Sequence, residues 1–186
     1  MGRTLEATAV SAAHCYALCG WIWQSRYMAA RDGDGWIICS CGGKHWGKFG
    51  AAGLLLFREG ENGREIFLQH RAPWVHNGDT WGIPGGARDS HESIEEAAAR
   101  EVNEETGIKP EHFNPVALFS DDHGDWRYDT VIALAREDIA ADAPNDESQE
   151  MRWLAVEEVS MMVLHPSFAK SWSELRQLLD DIITPT

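Results

Sequence analysis

The sequence predicts an α+β fold in which helices cover a mixed β-sheet. Three observations carry that reading. Short apolar runs separated by turn chemistry recur along the chain, as strands and their hairpins do. Residues 93–107 form a capped amphipathic segment. A second apolar stripe at helical spacing closes the chain.

Residues 1–35 carry little periodicity and end in the turn-rich "ARDGDG". Met28 opens "MAARDGDGW", so residues 1–27 read as an optional leader or as the product of a mis-called start. Arg3 ahead of an Ala-rich run suggests a secretory signal, but Glu6 and His14 interrupt that run and no Ala-x-Ala site follows. An irregular segment over 1–45 and one domain over 46–186 are therefore expected. "GAAGLLLF" (50–57) and "IFLQHR" (66–71) flank "REGENGRE", the pattern of two strands and a Gly/Asn hairpin. A loop, "APWVHNGD", leads to "TWGIPGG". "PVALFS" (115–120), "YDTVIALAR" (128–136) and "MRWLAV" (151–156) are β-rich, the last following the acidic loop "DIAADAPNDESQE". "VEEVSMMV" suggests a short helix and "HPS" a break. Phe168, Trp172, Leu175, Leu178, Leu179 and Ile182 then mark one face of a final helix.

Composition bounds the partners. A chain of 186 residues, 44% hydrophobic, builds one core without disulfide staples. The balance of 16 basic to 30 acidic residues argues against a nucleic-acid polymer as partner, because such binding needs Lys and Arg to neutralise phosphates. A phosphate ligand would have to be neutralised largely by metal cations. The absence of an 18-residue apolar run excludes a transmembrane helix, and no membrane partner is expected. The four cysteines, Cys15, Cys19, Cys39 and Cys41, fit cytoplasmic thiols and a cytoplasmic location.

The segment 93–107 raises the sharpest question. Ser93 followed by Glu96 is a capping box, so the helix should start at Ile94, and Gly107 is a natural residue to end it. At about 100° per residue, Ile94, Ala97, Ala98, Glu101, Val102 and Glu105 share one face, with Glu104 on its flank. A charge run is usually a solvated face. Glu101 and Glu105, however, continue the apolar stripe and should point inward. They are like charges at i,i+4, costing roughly 0.2–0.5 kcal/mol. They also sit near the helix C-terminus, where the dipole disfavours anions by roughly 0.3–1 kcal/mol. A hard divalent cation, Mg²⁺ or Mn²⁺, would relieve all three penalties. Arg100 lies at i±4 from Glu96 and Glu104, and its fork suits a carboxylate, although an ordinary surface ion pair explains it equally well. Glu92 belongs to the loop ahead of the helix, from which it could turn back toward these carboxylates.

Residues 86–108 match the pattern G-x5-E-x7-R-E-U-x-E-E-x-G-U, with U a bulky aliphatic, at Gly86, Glu92, Arg100, Glu101, Val102, Glu104, Glu105, Gly107 and Ile108. On these positions the chain resembles the Nudix family. "GAAGLLLF", "IFLQHR", "WGIPGG" and "RWL" look like further parts of its domain, from Phe49 onward. The resemblance implies a Nudix-type α/β/α sandwich. It also implies a pyrophosphohydrolase that cleaves the diphosphate of a nucleoside diphosphate linked to another moiety, with a nucleoside triphosphate or an oxidised nucleotide included. By carry-over, Glu101, Glu104, Glu105 and the carbonyl of Gly85 are candidate metal ligands. Glu101, held by Arg100, is a candidate general base. Glu150 and Glu147 of "DESQEMRW" are alternatives, Glu150 favoured because it stands three residues before Trp153, and His123 is a weaker one. Two rivals remain. An isomerase of isopentenyl diphosphate needs a cysteine near the site, and here all four precede the core strands. A catalytically silent nucleotide sensor usually loses box glutamates, and none is lost.

The substrate readers are less defined. Trp81, next to the "GIPGG" turn, and the loop residues Trp74 and Trp126 are candidates to stack on a nucleobase, although most tryptophans serve packing. Arg71 is a candidate for a phosphate contact. Asn77 and Asp79 would meet a base edge or cap their loop. Cys39, Cys41 and His45 in "CSCGGKHW", with Cys15 or Cys19, offer enough ligands for zinc. Cys-x-Cys is not the usual paired Cys-x2-Cys spacing, and buried thiols are the plainer reading. A homodimer is compatible with all of this.

Overall fold

The structure is a computed structural model describing residues 31–136, 139 and 146–182. The expected leader and the cysteines Cys15 and Cys19 lie outside the described residues. All described residues except Arg31 belong to one unit, Asp32–Thr186.

Seven strands make the main sheet: β3 (Ala51–Gly60), β4 (Gly63–Arg71), β5 (Trp81–Gly82), β6 (Gly85–Ala87), β7 (Phe113–Asp122), β8 (Arg127–Ala135) and β9 (Ser148–Ala155). Their order is β5-β4-β3-β8-β7, with β6 on β3 and β9 on β4. The sheet is mixed, because β3 and β8 run parallel while the other pairs are antiparallel. A parallel neighbour needs a crossover, and the chain between β3 and β8 carries helix α1 (Ile94–Thr106). Pro115 sits on the edge strand β7 where the register slips, a place that tolerates its missing N–H.

Alternation along β3 sorts the core into two layers. Leu54 and Leu56 face α1 and pack with Ala97, Ala98 and Val102. Leu55 and Phe57 face α2 (Pro166–Asp181) and pack with Phe168, Trp172, Leu175 and Leu179. The α/β/α sandwich is thus formed as expected, and both helices present the apolar faces their sequences imply; α2 begins at Pro166, inside the "HPS" expected to be a break. Ser93 caps α1 with Glu96 in a capping box, and Gly107 ends it at φ 76°. "VEEVSMMV" forms a 3-10 turn at Val159–Met161.

The N-terminal region differs from expectation. Trp36–Ile38 (β1) and Lys44–Trp46 (β2) form an antiparallel hairpin inside the stretch expected to be irregular. The apolar triplet, the glycines at 42 and 43 and the "KHW" triplet are strand–turn–strand chemistry in miniature.

Candidate active site

Strand β6 is the pivot of the site. It leaves the "WGIP" segment and pairs with the start of β3, Gly53 opposite Gly85 and Ala52 opposite Gly86. Successive residues face opposite sides of a strand, and here both sides are crowded. A Cβ at Gly86 would stand 2.7 Å from the Glu101 carboxylate, and one at Gly85 would stand 2.6 Å from the Tyr128 hydroxyl. Glycine at these two positions lets the carboxylates of α1 and a pocket on the other side both approach the same backbone.

On the α1 side, Arg100 organises the acidic cluster. Its fork holds Glu92 bidentately, Nε to Oε1 at 2.6 Å and Nη2 to Oε2 at 2.8 Å. It also donates to Glu101 Oε1 at 2.6 Å, to Glu104 Oε2 at 3.4 Å and to the carbonyl of Ala87 at 2.9 Å. The partner of the fork is therefore the loop residue Glu92. Glu96, an expected partner at i−4, is engaged in the helix cap. Burial lowers the affinity of Arg100 for its proton, but the bonds to Glu92 and Glu101 outweigh it and raise the pKa overall.

Glu105 is the most deeply placed carboxylate, 8% exposed, and accepts from the backbone N–H of Gly85 at 3.2 Å. Burial, then the charge of Glu101, push its pKa well up. Arg71 and the Gly85 hydrogen bond oppose this, while Glu147 adds to it. Such a group resists ionising alone and ionises readily beside a cation. The side chains of Glu101, Glu104 and Glu105 and the carbonyl of Gly85 offer oxygen atoms, the kind of donor a hard divalent ion such as Mg²⁺ or Mn²⁺ takes.

On the opposite side of β6 lies a cavity of about 220 Å³. Gly85, Gly86, Tyr128 and Arg71 line it next to the acidic cluster, and Trp36, Trp46 and Trp126 line it further out. The Tyr128 phenol has its pKa raised by desolvation and then by Glu105 and Glu101, so it stays protonated as a donor. His165, the N-cap of α2, also lines the cavity; its Nδ1 accepts from the Ser167 N–H at 3.3 Å. Desolvation, Arg71 and His76 lower its pKa to about 4, so it is neutral near pH 7.

The candidate residues sort clearly against this geometry. Arg71 lies on the pocket wall. Trp81 does not belong there. It is 6% exposed, sits in the α2-side core and stacks on His70 with centroids 4.7 Å apart. Its place on β5 turns the ring into the sheet, so it is a core side chain. Trp74 is 74% exposed and bonds Asp146 O, away from the lining. Trp126 lines the pocket with its Nε1 held by Gly47 O at 2.9 Å. Asn77 and Asp79 take positive φ, 53° and 57°, and fix their loop: the Asn77 amide meets His165 Nε2 at 3.0 Å, and Asp79 accepts from Gln149 at 2.9 Å. Glu150 pairs with Arg152 at 2.6 Å on β9, whereas Glu147 is the loop glutamate whose charge reaches Glu105. His123 pairs with Asp121 at 3.2 Å and belongs to a different cluster. Sequence reading missed Tyr128, His76, His165 and the tryptophans of β1 and β2. Only the short "WII" and "KHW" alternations signalled the last two.

Comparison with known proteins gives one consistent picture. The family described as "NUDIX domain" matches residues 47–178. "Putative 8-oxo-dGTP diphosphatase 3" of Mycobacterium tuberculosis is 47% identical over 154 residues, covering 78% of this chain and 70% of that protein. A nucleoside triphosphate pyrophosphatase/Nudix hydrolase fusion protein of Bifidobacterium longum is 41% identical over 159 residues, covering 83% of this chain but 33% of the fusion. Among solved structures, the Nudix hydrolase RenU of M. smegmatis superposes with a TM-score of 0.76 at 42% identity, covering 83% of this chain and 99% of RenU.

Proposed function

The chain belongs to the Nudix family of hydrolases acting on pyrophosphate bonds, and we propose that it cleaves the phosphoanhydride of a small nucleotide with Mg²⁺ or Mn²⁺. An oxidised purine nucleoside triphosphate is the first substrate to test, because the relative from M. tuberculosis carries that name. One observation carries the reading. The carboxylates of α1 and the pocket meet across the same two glycines, so a diphosphate lying on β6 has cation ligands on one side and a base pocket on the other.

Glu101, Glu104, Glu105 and the carbonyl of Gly85 would hold the ion. When bound, a divalent ion masks charge on the diphosphate and makes a coordinated water more acidic. The chain's own residues supply the rest. Arg100 fixes Glu101 with a charge-assisted hydrogen bond at 2.6 Å. We assign the proton of the attacking water to the loop glutamate Glu147, whose charge is felt at Glu105, while Glu150 pairs with Arg152. The water oxygen bonds to phosphorus as the bridging oxygen departs with the leaving phosphate group. Arg71 faces the diphosphate charge, and Tyr128 donates a hydrogen bond beside Gly85. The cavity is smaller than the roughly 300–1,000 Å³ of a drug-sized site, so the base and sugar fill it and the phosphates lie at its mouth.

The test is release of phosphate and pyrophosphate from a panel with Mg²⁺ or Mn²⁺: oxidised dGTP, ordinary nucleoside triphosphates, ADP-ribose, NADH and dinucleoside polyphosphates. Wild type should turn over one class, and Glu104→Gln should lose it by about 100-fold or more. Turnover that persists without divalent ions, or in Glu104→Gln, overturns the reading. A nucleotide that raises Tm without being cleaved points to a sensor instead.

A further inference from the structure

We propose that Cys39, Cys41, His45 and His123 form a zinc site, separate from the carboxylate end of α1, that fastens the aromatic wall of the pocket. The tight turn between β1 and β2 brings Cys39 Sγ, Cys41 Sγ and a ring nitrogen of His45 within 4.8 Å of one another. The sulfur of Cys41 and Nε2 of His45 stand 3.3 Å apart. Tetrahedral zinc, with Zn–S near 2.3 Å and Zn–N near 2.0–2.1 Å, places such atoms about 3.5 Å apart. Two thiols with imidazoles are the soft and borderline donors that select zinc over Mg²⁺ or Mn²⁺.

The turn is shaped for this cluster. Gly42 adopts φ 84°, and a Cβ at Gly43 would stand 2.8 Å from His45 Nε2 and 3.2 Å from Cys41 Sγ. Only a glycine lets the two ligands close over that position. Backbone N–H groups already point at both sulfurs, Cys41 to Cys39 and Gly43 to Cys41, each at 3.4 Å, as thiolate ligands require. The fourth ligand comes from the turn between β7 and β8. The His123 ring lies 4.6 Å from that of His45, and its carbonyl accepts from the Cys39 thiol at 3.4 Å. With His123 Nε2 directed at Asp121, the carboxylate orients the imidazole for metal through its other nitrogen. Asp125 takes the outer position, accepting from Ser40 N at 3.0 Å and from the Cys39 thiol at 2.8 Å in the metal-free form.

The consequence reaches the pocket. His45 stacks on Trp126 with centroids 4.1 Å apart and planes 12° apart, and both line the cavity with Trp36 and Trp46. A hairpin of three-residue strands is marginal by itself. One ion bridging its turn to the β7–β8 turn would hold that wall in place.

The experiment uses the full chain, purified reduced, stripped with a chelator and titrated with Co²⁺ and then Zn²⁺. One equivalent of Co²⁺ should produce thiolate-to-metal absorption with tetrahedral d–d bands, and Zn²⁺ should displace it. Carboxylate sites cannot give the thiolate band. Cys41→Ser should abolish it, while His123→Ala and Gly43→Ala, which keep both thiols, should weaken Zn²⁺ binding at least tenfold. The double variant Cys15→Ser/Cys19→Ser should bind as wild type. No thiolate band at stoichiometric metal, a band surviving Cys39→Ser and Cys41→Ser, or equal affinity in His123→Ala and Gly43→Ala each overturn the proposal.

Discussion

The two helices cover opposite faces of one sheet, yet their C-terminal halves are built on opposite terms. In α2 the apolar stripe runs unbroken through Phe168, Trp172, Leu175 and Leu179. Its terminal carbonyls also receive a cation, since the Arg64 guanidinium donates to Leu179 O and Ile182 O. In α1 the stripe breaks off after Val102 and continues as carboxylates; neither helix carries a basic residue of its own in the last turn. Arg100 compensates part of that charge but is largely committed to Glu92. The α2 end satisfies the helix dipole and the core together. The α1 end satisfies neither, which is expected where a surface is shaped for a ligand and stability is supplied elsewhere.

Substitutions can break this contrast, and the largest effect should come from Glu105→Gln. Turnover should fall by about 100-fold or more, while Tm in a chelator is unchanged or higher. The pH dependence sharpens the point. A carboxylate whose folded pKa is raised has its stabilising contribution fully present below its unfolded pKa, and loses it as pH rises through the folded value. Metal-free wild type should therefore lose stability over that rise, and Glu105→Gln should not. A variant that is both inactive and strongly destabilised would show that Glu105 serves packing. Leu179→Ala is the mirror experiment. This fully buried residue lies off the pocket lining, so its truncation should cost roughly 2–5 kcal/mol in denaturant unfolding. Its kcat and KM should stay at wild-type values; a changed KM would couple α2 to the site. Smallest is Arg64→Gln, expected to lose about 1 kcal/mol with activity intact. A null result there would mean water serves the α2 carbonyls equally well.

Much of the molecule is legible in the order of its residues. Local signals with fixed spacing, such as Ser93/Glu96, Gly107 and the stripes of both helices, act within a few residues and so appear in the sequence itself. The same holds for the acidic end of α1, whose crowded carboxylates lie within one turn of the chain. The Nudix pattern is of this kind too, since its residues lie in one loop and one helix.

What stays open in the sequence depends on chain segments far apart. Trp81 reads as a stacking platform because it precedes a glycine turn, but the pairing of β5 with β4 turns it into the core against His70. Position in the chain favours Glu150 over Glu147, but β9 places Glu150 beside Arg152, while the charge of Glu147 reaches Glu105. Arg100 takes Glu92 over Glu96 because the loop folds back on the helix. His123 meets Cys39, Cys41 and His45 across more than 75 residues, and no spacing rule in the chain foretells that meeting. The sequence by itself determined which local elements form and what charge they carry. The tertiary structure decided which side chains share a site, because that depends on strand register and loop closure, which link residues too distant for any local pattern to encode.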